Sequence, residues 1–201
     1  MIADTKGSKE ILSRVEEWRG PIFGIVTEEI EAGGTRVARN FMDHPGAVAV
    51  IALDDDGRVA LLNQYRHPVR ARLWEIPAGL LDHDGEDYLD GAKRELAEEA
   101  DLTAETWHVL VDWFASPGCT NESTRIFLAR DLRPAATTFV REAEEAEMTL
   151  EFVDLDEAAG AIIAGRMHSP DAIVGILAAL RARESNWADL RDPSEPWLRG
   201  L

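Results

Sequence analysis

One cysteine, no long apolar run and few basic residues are the main shortages of this sequence, and each excludes a class of protein or site. Because Cys119 is the single cysteine among 201 residues, an internal disulfide and a metal site of several thiolates are excluded. No segment approaches the roughly 20 apolar residues that cross a bilayer, and residues 1–18 lack the apolar centre of a signal peptide. We therefore expect a cytoplasmic protein that does not bind membranes, and any metal must have oxygen or imidazole ligands.

The deficit of positive charge is large. The chain has 21 Lys and Arg residues against 38 Asp and Glu residues, for a formal net charge of −17. Proteins that bind nucleic acid contact phosphates through clustered Lys and Arg, so no nucleic-acid partner is expected. If the substrate is anionic, cations must lie between it and the protein.

Strand patterns dominate the first 70 residues, and helix patterns follow. Alternating or β-branched segments predict strands at 11–18, 22–30, 35–42, 46–53, 58–65, 108–115, 123–132 and 148–155. Helices are predicted at 86–100, 155–165 and 169–184, where Ser169 suits the N-cap and Pro170 the first helical position. Strands and helices without a regular βαβ alternation indicate an α+β fold with a mixed sheet flanked by helices.

The first predicted helix is two-sided. At about 100° per residue, Leu89, Ala92, Leu96 and Ala100 form an apolar stripe, and the carboxylates of residues 95, 98 and 99 lie on the other side. Glu95 and Glu99 are one turn apart and can share a cation, although an arbitrary helix with this pattern more often has a solvated acidic face.

The segment before this helix predicts a loop. Pro77, Gly79 and Gly85 favour a turn that directs carbonyls, such as that of Ala78, toward the helix, where oxygen ligands suit a hard cation. Glu86, predicted in the first turn, is eight residues before Arg94 and within reach of it.

These residues resemble the signature of the Nudix hydrolases. Gly79, Glu86 and "RELAEEADL" (94–102) match a glycine, a glutamate and the R-E-U-x-E-E-x-G-U box, where U is aliphatic. Two departures concern the loop and the helix end. Six residues instead of five separate Gly79 from Glu86, and Asp101 replaces the box glycine. We expect a reshaped loop and a left-handed residue at Asp101.

Three further segments resemble the ADP-ribose pyrophosphatase group of that family: residues 44–82, the "SPGCTNES" loop (116–123) and the acidic "REAEEAEM" loop (141–148). The resemblance implies an α/β/α sandwich at 43–185, preceded by an antiparallel β extension at 1–42 and followed by an irregular tail at 186–201. It also implies a homodimer formed through the N-terminal strands, which would help to build an adenosine site.

The implied activity is hydrolysis of the pyrophosphate bond of ADP-ribose to AMP and ribose 5-phosphate, with Mg²⁺, or alternatively Mn²⁺, as the cofactor. The implied metal ligands are Glu95, Glu99 and the Ala78 carbonyl, with Glu98 binding directly or through water, and Glu98 and Glu99 also count as catalytic. Glu145 is preferred as the catalytic base and a further ligand, with Glu144 and Glu147 as alternatives; a solvated acidic turn is the competing interpretation.

Candidates for substrate binding are more scattered. Arg66 can bind phosphate oxygens bidentately, and a surface arginine without a partner is the alternative. Glu75 could bind a ribose or an arginine of another subunit. Trp18 or Phe23 could stack on an adenine, although aromatic residues in strands more often belong to the core. Leu80 and Gly118 complete the predicted substrate-binding set.

Other functions share parts of this pattern. Another nucleoside diphosphate sugar or a dinucleotide remains an alternative substrate, as do nucleoside triphosphates, although enzymes for triphosphates usually lack the N-terminal extension and the 116–123 loop. An isopentenyl diphosphate isomerase would need a histidine-rich metal site and a catalytic cysteine. A non-catalytic binding module is the least favoured alternative, because the box carboxylates are present.

Overall fold

A computed structural model describes residues 2–83, 85–136, 139–141 and 146–200. The strands are β1 (Ile11–Arg19), β2 (Gly24–Ala32), β3 (Thr35–Asp43), β4 (Ala47–Ala52), β5 (Arg58–Arg66), β6 (Ala71–Glu75), β7 (Ala78–Leu80), β8 (Leu102–Phe114), β9 (Ser123–Pro134) and β10 (Thr149–Asp154). The helices are α1 (Tyr88–Ala100), α2 (Leu155–Ile163), α3 (Pro170–Glu184) and a short 3₁₀ helix (Leu198–Gly200). The predicted α+β composition is confirmed.

The strands form three sheets. A four-stranded sheet has the order β7-β4-β9-β8, in which β4 and β9 are parallel and the other pairs antiparallel. A three-stranded antiparallel sheet has the order β10-β5-β6. Strands β1, β2 and β3 form a separate antiparallel sheet, which we name the N-terminal sheet. Its second hairpin turns at Gly33 and Gly34, whose φ angles of 61° and 77° lie in the left-handed region that favours glycine.

Helices cover both faces of the four-stranded sheet, which confirms the predicted layered arrangement. Strand β4 is almost completely buried, and its side chains alternate between two clusters. Val48, Val50 and Ala52 pack with Ala92 and Leu96 of α1. On the opposite face, two residues of β4 pack with α2 and α3 in the larger cluster: Ala49 and Ile51. Strand β4 therefore packs against helices on both faces of the sheet.

The short strand β7 corrects one prediction. Residues 78–80 were expected in a loop, but Ala78 lies opposite Ala49 and Leu80 opposite Ala47, so this segment extends the sheet at its edge. Its backbone completes the ladder of β4, which three residues that follow a proline and include a glycine do not reveal by their pattern. Strand β6 was likewise not predicted.

The boundaries of α1 differ slightly from those predicted. The helix begins at Tyr88 with Asp87 as N-cap, whose carboxylate accepts the backbone N–H of Leu89, so Glu86 precedes the helix instead of lying in its first turn. At the other end Asp101 has φ 54° and ψ 34°, which confirms the predicted left-handed helix end. Ser169 is the N-cap residue of α3 and Pro170 follows, as predicted, but the Ser169 hydroxyl makes no capping hydrogen bond.

Within the described ranges, no helix has both the length and the apolar character needed to cross a bilayer.

Candidate active site

Two carboxylates of α1 reach the edge strand β7. The carboxylate of Glu95 lies directly against Gly79, where any side chain would overlap it. One turn further along α1, the carboxylate of Glu99 accepts the backbone N–H of Ala78 at 2.8 Å. The absence of a Cβ at Gly79 therefore allows the helix and the strand to bring two acids together at residues 78–79.

Arg94 braces the segment before α1. Its guanidinium donates to both carboxylate oxygens of Glu86, at 2.9 and 3.0 Å, which confirms the predicted pairing. The third nitrogen donates to Glu95 at 2.6 Å and to Glu98 at 3.1 Å. The Arg94 hydrogen bonds hold the pKa of Glu86 below its usual range, and Glu86 and Glu95 in turn raise the pKa of Arg94. The Arg94 guanidinium therefore fixes the positions of three carboxylates.

Gly91 allows α1 to pack closely against its neighbours. A Cβ at this position would lie 3.0 Å from a carboxylate oxygen of Glu86 and 3.6 Å from Val48. The helix can therefore approach both the preceding segment and β4.

Arg94→Met is expected to lower the free energy of unfolding by about 2 to 3 kcal/mol at neutral pH, because it removes the counter-charge of Glu86, whose side chain is only 17% exposed. Arg94 holds the pKa of Glu86 below its usual range, so this stabilisation is present at neutral pH and disappears as the pH falls through the lowered pKa. Thermal unfolding at several pH values measures both effects. Arg94→Lys, which keeps the charge without the two-pronged contact, should lose less; equal Tm for wild type and Arg94→Met at pH 7 would contradict the role of the pair.

The donors near β7 suit a hard cation. Among the residues that the structure describes, no three acidic or histidine side chains converge closely enough to hold a metal ion. However, Glu95 and Glu99 approach two adjacent residues of β7, Gly79 and Ala78 respectively, and all the candidate donors are oxygen atoms, which Mg²⁺ and Mn²⁺ prefer. The residues present therefore fit the type of metal that was predicted.

Arg66 and Glu75, predicted separately as substrate ligands, contact each other. The Arg66 guanidinium donates to both oxygens of Glu75, with the shortest distance at 2.6 Å. The two residues lie on the adjacent antiparallel strands β5 and β6. The Glu75 side chain is 12% exposed and that of Arg66 is 45% exposed, so the arginine presents part of its surface to solvent.

The 116–123 loop lies beside the N-terminal sheet. The N–H of Met42 donates to the Cys119 carbonyl at 2.9 Å, and the Thr120 hydroxyl donates to the Met42 carbonyl at 3.1 Å. Next to these contacts, a cavity of about 300 Å³ is lined by residues of this loop, β2 and β3. Its lining includes Glu28, Arg39, Asn40, Phe41, Gly118 and Cys119. Gly118 is thus placed at a cavity, as its predicted role requires.

Trp18 and Phe23 contact each other at the first turn of the N-terminal sheet, with ring centroids 5.6 Å apart. Trp18 is 52% exposed, so it is not a core residue of this chain. Leu80 ends β7 and is partly buried.

The acidic loop is described only at its two ends. Glu145, the preferred base, and Glu144, one of the two alternatives, lie outside the described residues. Arg141 donates to the Glu98 carbonyl at 3.1 Å and to Asp101 at 2.6 Å, so the loop begins at the end of α1. Glu147, the other alternative, contacts Arg72 at 3.3 Å. The loop therefore begins beside the helix that carries the box acids.

One titratable residue near the sheet was not singled out from the sequence. Asp171 lies in the first turn of α3 and accepts the indole N–H of Trp113 at 3.0 Å. Burial raises the pKa of this carboxyl to about 6, against the opposing effect of its hydrogen bonds to Thr124 and Trp113. The one local signal was an acid beside Pro170, which is common at helix starts.

Comparison of this chain with known proteins identifies its family and several relatives. A family model described as NUDIX domain matches residues 43–173. An ADP-ribose pyrophosphatase of Mycobacterium tuberculosis is 41% identical over 180 residues, which cover 89% of this chain and 86% of that protein. An ADP-ribose pyrophosphatase of Bacillus subtilis is 34% identical over 62% of this chain and 67% of that protein.

Two further similarities are informative. A methanol dehydrogenase activator of Bacillus methanolicus is 30% identical over 78% of this chain and 84% of that protein. A crystal structure of an ADP compounds hydrolase superposes with a TM-score of 0.75, covering 92% of this chain and 98% of that one. At 17% sequence identity, the latter similarity shows the fold alone.

Proposed function

Because this chain belongs to the Nudix family and is a hydrolase of that type, we propose that it hydrolyses the pyrophosphate bond of ADP-ribose to AMP and ribose 5-phosphate. The approach of Glu95 and Glu99 to Ala78 and Gly79 carries this proposal, because it gathers oxygen donors at one place on a rigid helix and strand. The similarity to two ADP-ribose pyrophosphatases supports the substrate.

Nudix hydrolases generally need a divalent metal, and we propose Mg²⁺ here, with Mn²⁺ as the alternative. When bound, the metal would neutralise the pyrophosphate and lower the pKa of a water molecule. Glu95, Glu99 and the carbonyl of Ala78 would hold it, with Glu98 as a further ligand. Arg94 keeps these acids oriented, since it already contacts Glu95 and Glu98. The protein therefore contributes position and charge neutralisation, which dominate phosphoryl transfer.

Arg66 and Glu75 are proposed to bind the substrate as a pair. Glu75 holds the guanidinium of Arg66 in a fixed orientation, and a guanidinium is suited to bind a phosphate or ribose oxygen. Leu80, Gly118, Trp18 and Phe23 complete the proposed substrate site. The cavity beside Gly118 supports this assignment.

We propose that two copies associate through the N-terminal sheet. Strand β1 is exposed along its whole length, and its apolar residues Ile11, Val15 and Trp18 are each more than half exposed. Such a surface is unfavourable in water unless another chain covers it. The family match spans residues 43–173, which supports the boundary between the proposed extension at 1–42 and the domain; the domain end at 185 and the tail at 186–201 are proposed with it. Light scattering of wild type and Trp18→Glu should give a dimer and a weakened dimer; a monomeric wild type would contradict the assembly.

A substrate panel with Mg²⁺ tests the proposed activity. ADP-ribose, ADP-glucose, GDP-mannose, NADH, diadenosine polyphosphates and dGTP are compared by kcat/KM and by product identity. ADP-ribose should be preferred and should yield AMP and ribose 5-phosphate. Better turnover of another sugar diphosphate or dinucleotide would change the proposed substrate. A strong preference for dGTP would contradict the assignment of this chain to the ADP-ribose pyrophosphatase group.

We also propose that the protein is located in the cytoplasm, because its composition includes a single cysteine.

A further inference from the structure

The C-terminal segment, residues 192–199, is fastened to the four-stranded sheet by a buried arginine. Arg125 of β9 is 1% exposed and donates to both oxygens of Asp112, at 2.7 and 3.0 Å. It also donates to the Glu195 carbonyl at 2.7 Å and lies over the ring of Trp197, 5.3 Å from its centroid. Trp197 is 3% exposed, and the Arg199 guanidinium lies over the other part of this anchor, 6.0 Å from the centroid of the Trp197 ring.

Beyond this anchor, Arg199 reaches two segments that are distant in sequence. Its guanidinium donates to the Ser123 hydroxyl at 2.9 Å and to the Asn121 carbonyl at 3.5 Å, both at the end of the 116–123 loop. It also donates to the carbonyls of His44 and Pro45, in the connection between the N-terminal sheet and β4. One side chain therefore joins the loop to that connection.

The same two segments contact each other directly. The Asn121 side chain accepts the His44 N–H and donates to Asp43, both at 2.7 Å. The connection in turn reaches the active site, because the Gly46 carbonyl accepts the N–H of Leu81, just after β7, at 3.0 Å. Arg199 thus lies at the point where the loop, the N-terminal sheet and the edge of the candidate metal site are joined.

We propose that Arg199 is a positioning residue, which sets the 116–123 loop against the 43–46 connection and thereby determines substrate affinity. This inference rests on the proposed function, in which that loop binds substrate. Arg199 acts through Ser123 and Asn121. A charged donor shared by a hydroxyl and several carbonyls is well suited to this task, because it restrains the stretch between two backbone pairings, Met42 with Thr120 and Ala47 with Thr124.

The test compares Arg199→Ala, Arg199→Lys and Ser123→Ala in the full chain, with Arg181→Ala as the matched control. Arg181 is an exposed arginine of α3 whose contact with Glu184 is long, at 3.5 Å. Hydrogen exchange of the amides at 116–123 and 42–46 is measured without substrate, and KM and kcat are measured with ADP-ribose and Mg²⁺.

Arg199→Ala should accelerate exchange in both segments and raise KM about tenfold, as expected for loss of a charge-assisted contact, while kcat changes less than about twofold. Arg199→Lys should have a KM between those of wild type and Arg199→Ala. Ser123→Ala should raise KM and accelerate exchange less than Arg199→Ala does, and Arg181→Ala should match wild type in both. Unchanged exchange in Arg199→Ala would overturn the inference, as would a lower Tm or a lower active fraction with unchanged KM. If wild type failed to hydrolyse ADP-ribose, the proposed function would fail, and exchange would still decide whether Arg199 positions the loop.

Discussion

Glu99→Gln is expected to lower kcat for ADP-ribose by about a thousandfold or more, because loss of a charged metal ligand removes several kcal/mol of transition-state stabilisation. The fold should persist. An amide of the same shape can still accept the N–H of Ala78, the hydrogen bond that places Glu99 beside β7 at 2.8 Å. Steady-state kinetics with Mg²⁺ measure the activity, and circular dichroism and Tm measure the fold.

Asp90→Asn is the matched control for this variant. It removes one carboxylate from the same helix, but Asp90 is exposed and contacts Lys93 instead of β7. Its kcat should remain within about twofold of wild type, since surface charges of this kind contribute little. Near-normal turnover by a folded Glu99→Gln variant would remove Glu99 from the metal site.

Glu145→Gln is the second large expected effect, a loss of about 10² to 10⁴ in kcat, which is the usual contribution of a positioned general base. KM should change little, because the proposed base acts on water and not on substrate binding. The pH dependence of kcat should also change, since the acidic limb would no longer report the ionisation of the base.

Glu144→Gln and Glu147→Gln are the comparison variants. Glu147 already contacts Arg72, both by its carboxylate at 3.3 Å and by its carbonyl at 2.7 Å, so its substitution is expected to affect the loop more than the chemistry. If Glu145→Gln kept the wild-type rate, the base would move to whichever of the other two variants lost activity.

The features that follow a short-range rule were predictable from the sequence. The apolar stripe of α1 required one face to be buried, and Ala92 and Leu96 are fully buried. The eight-residue spacing predicted the Glu86–Arg94 pair, and Asp101 was among the few residues suited to a left-handed helix end.

Features that depend on distant partners were not predictable. Strand β7 exists because β4 provides a ladder some thirty residues away, as in the pairing of Ala49 with Ala78. The Arg66–Glu75 contact required the unpredicted strand β6, so the two residues were assigned separately. The contact of Arg125 with Glu195 joins positions 70 residues apart, and an irregular segment has no periodicity that would predict where it packs.

Val48 illustrates how closely activity and folding are linked in this protein. Its backbone pairs with Gly79, and its side chain lies near Gly91, so the same residue faces the strand and the helix that carry the proposed ligands. Heating should therefore abolish turnover and native structure over a single temperature range. A residue of another size at Val48 would change the packing between β4 and α1, and with it the spacing of the proposed metal ligands.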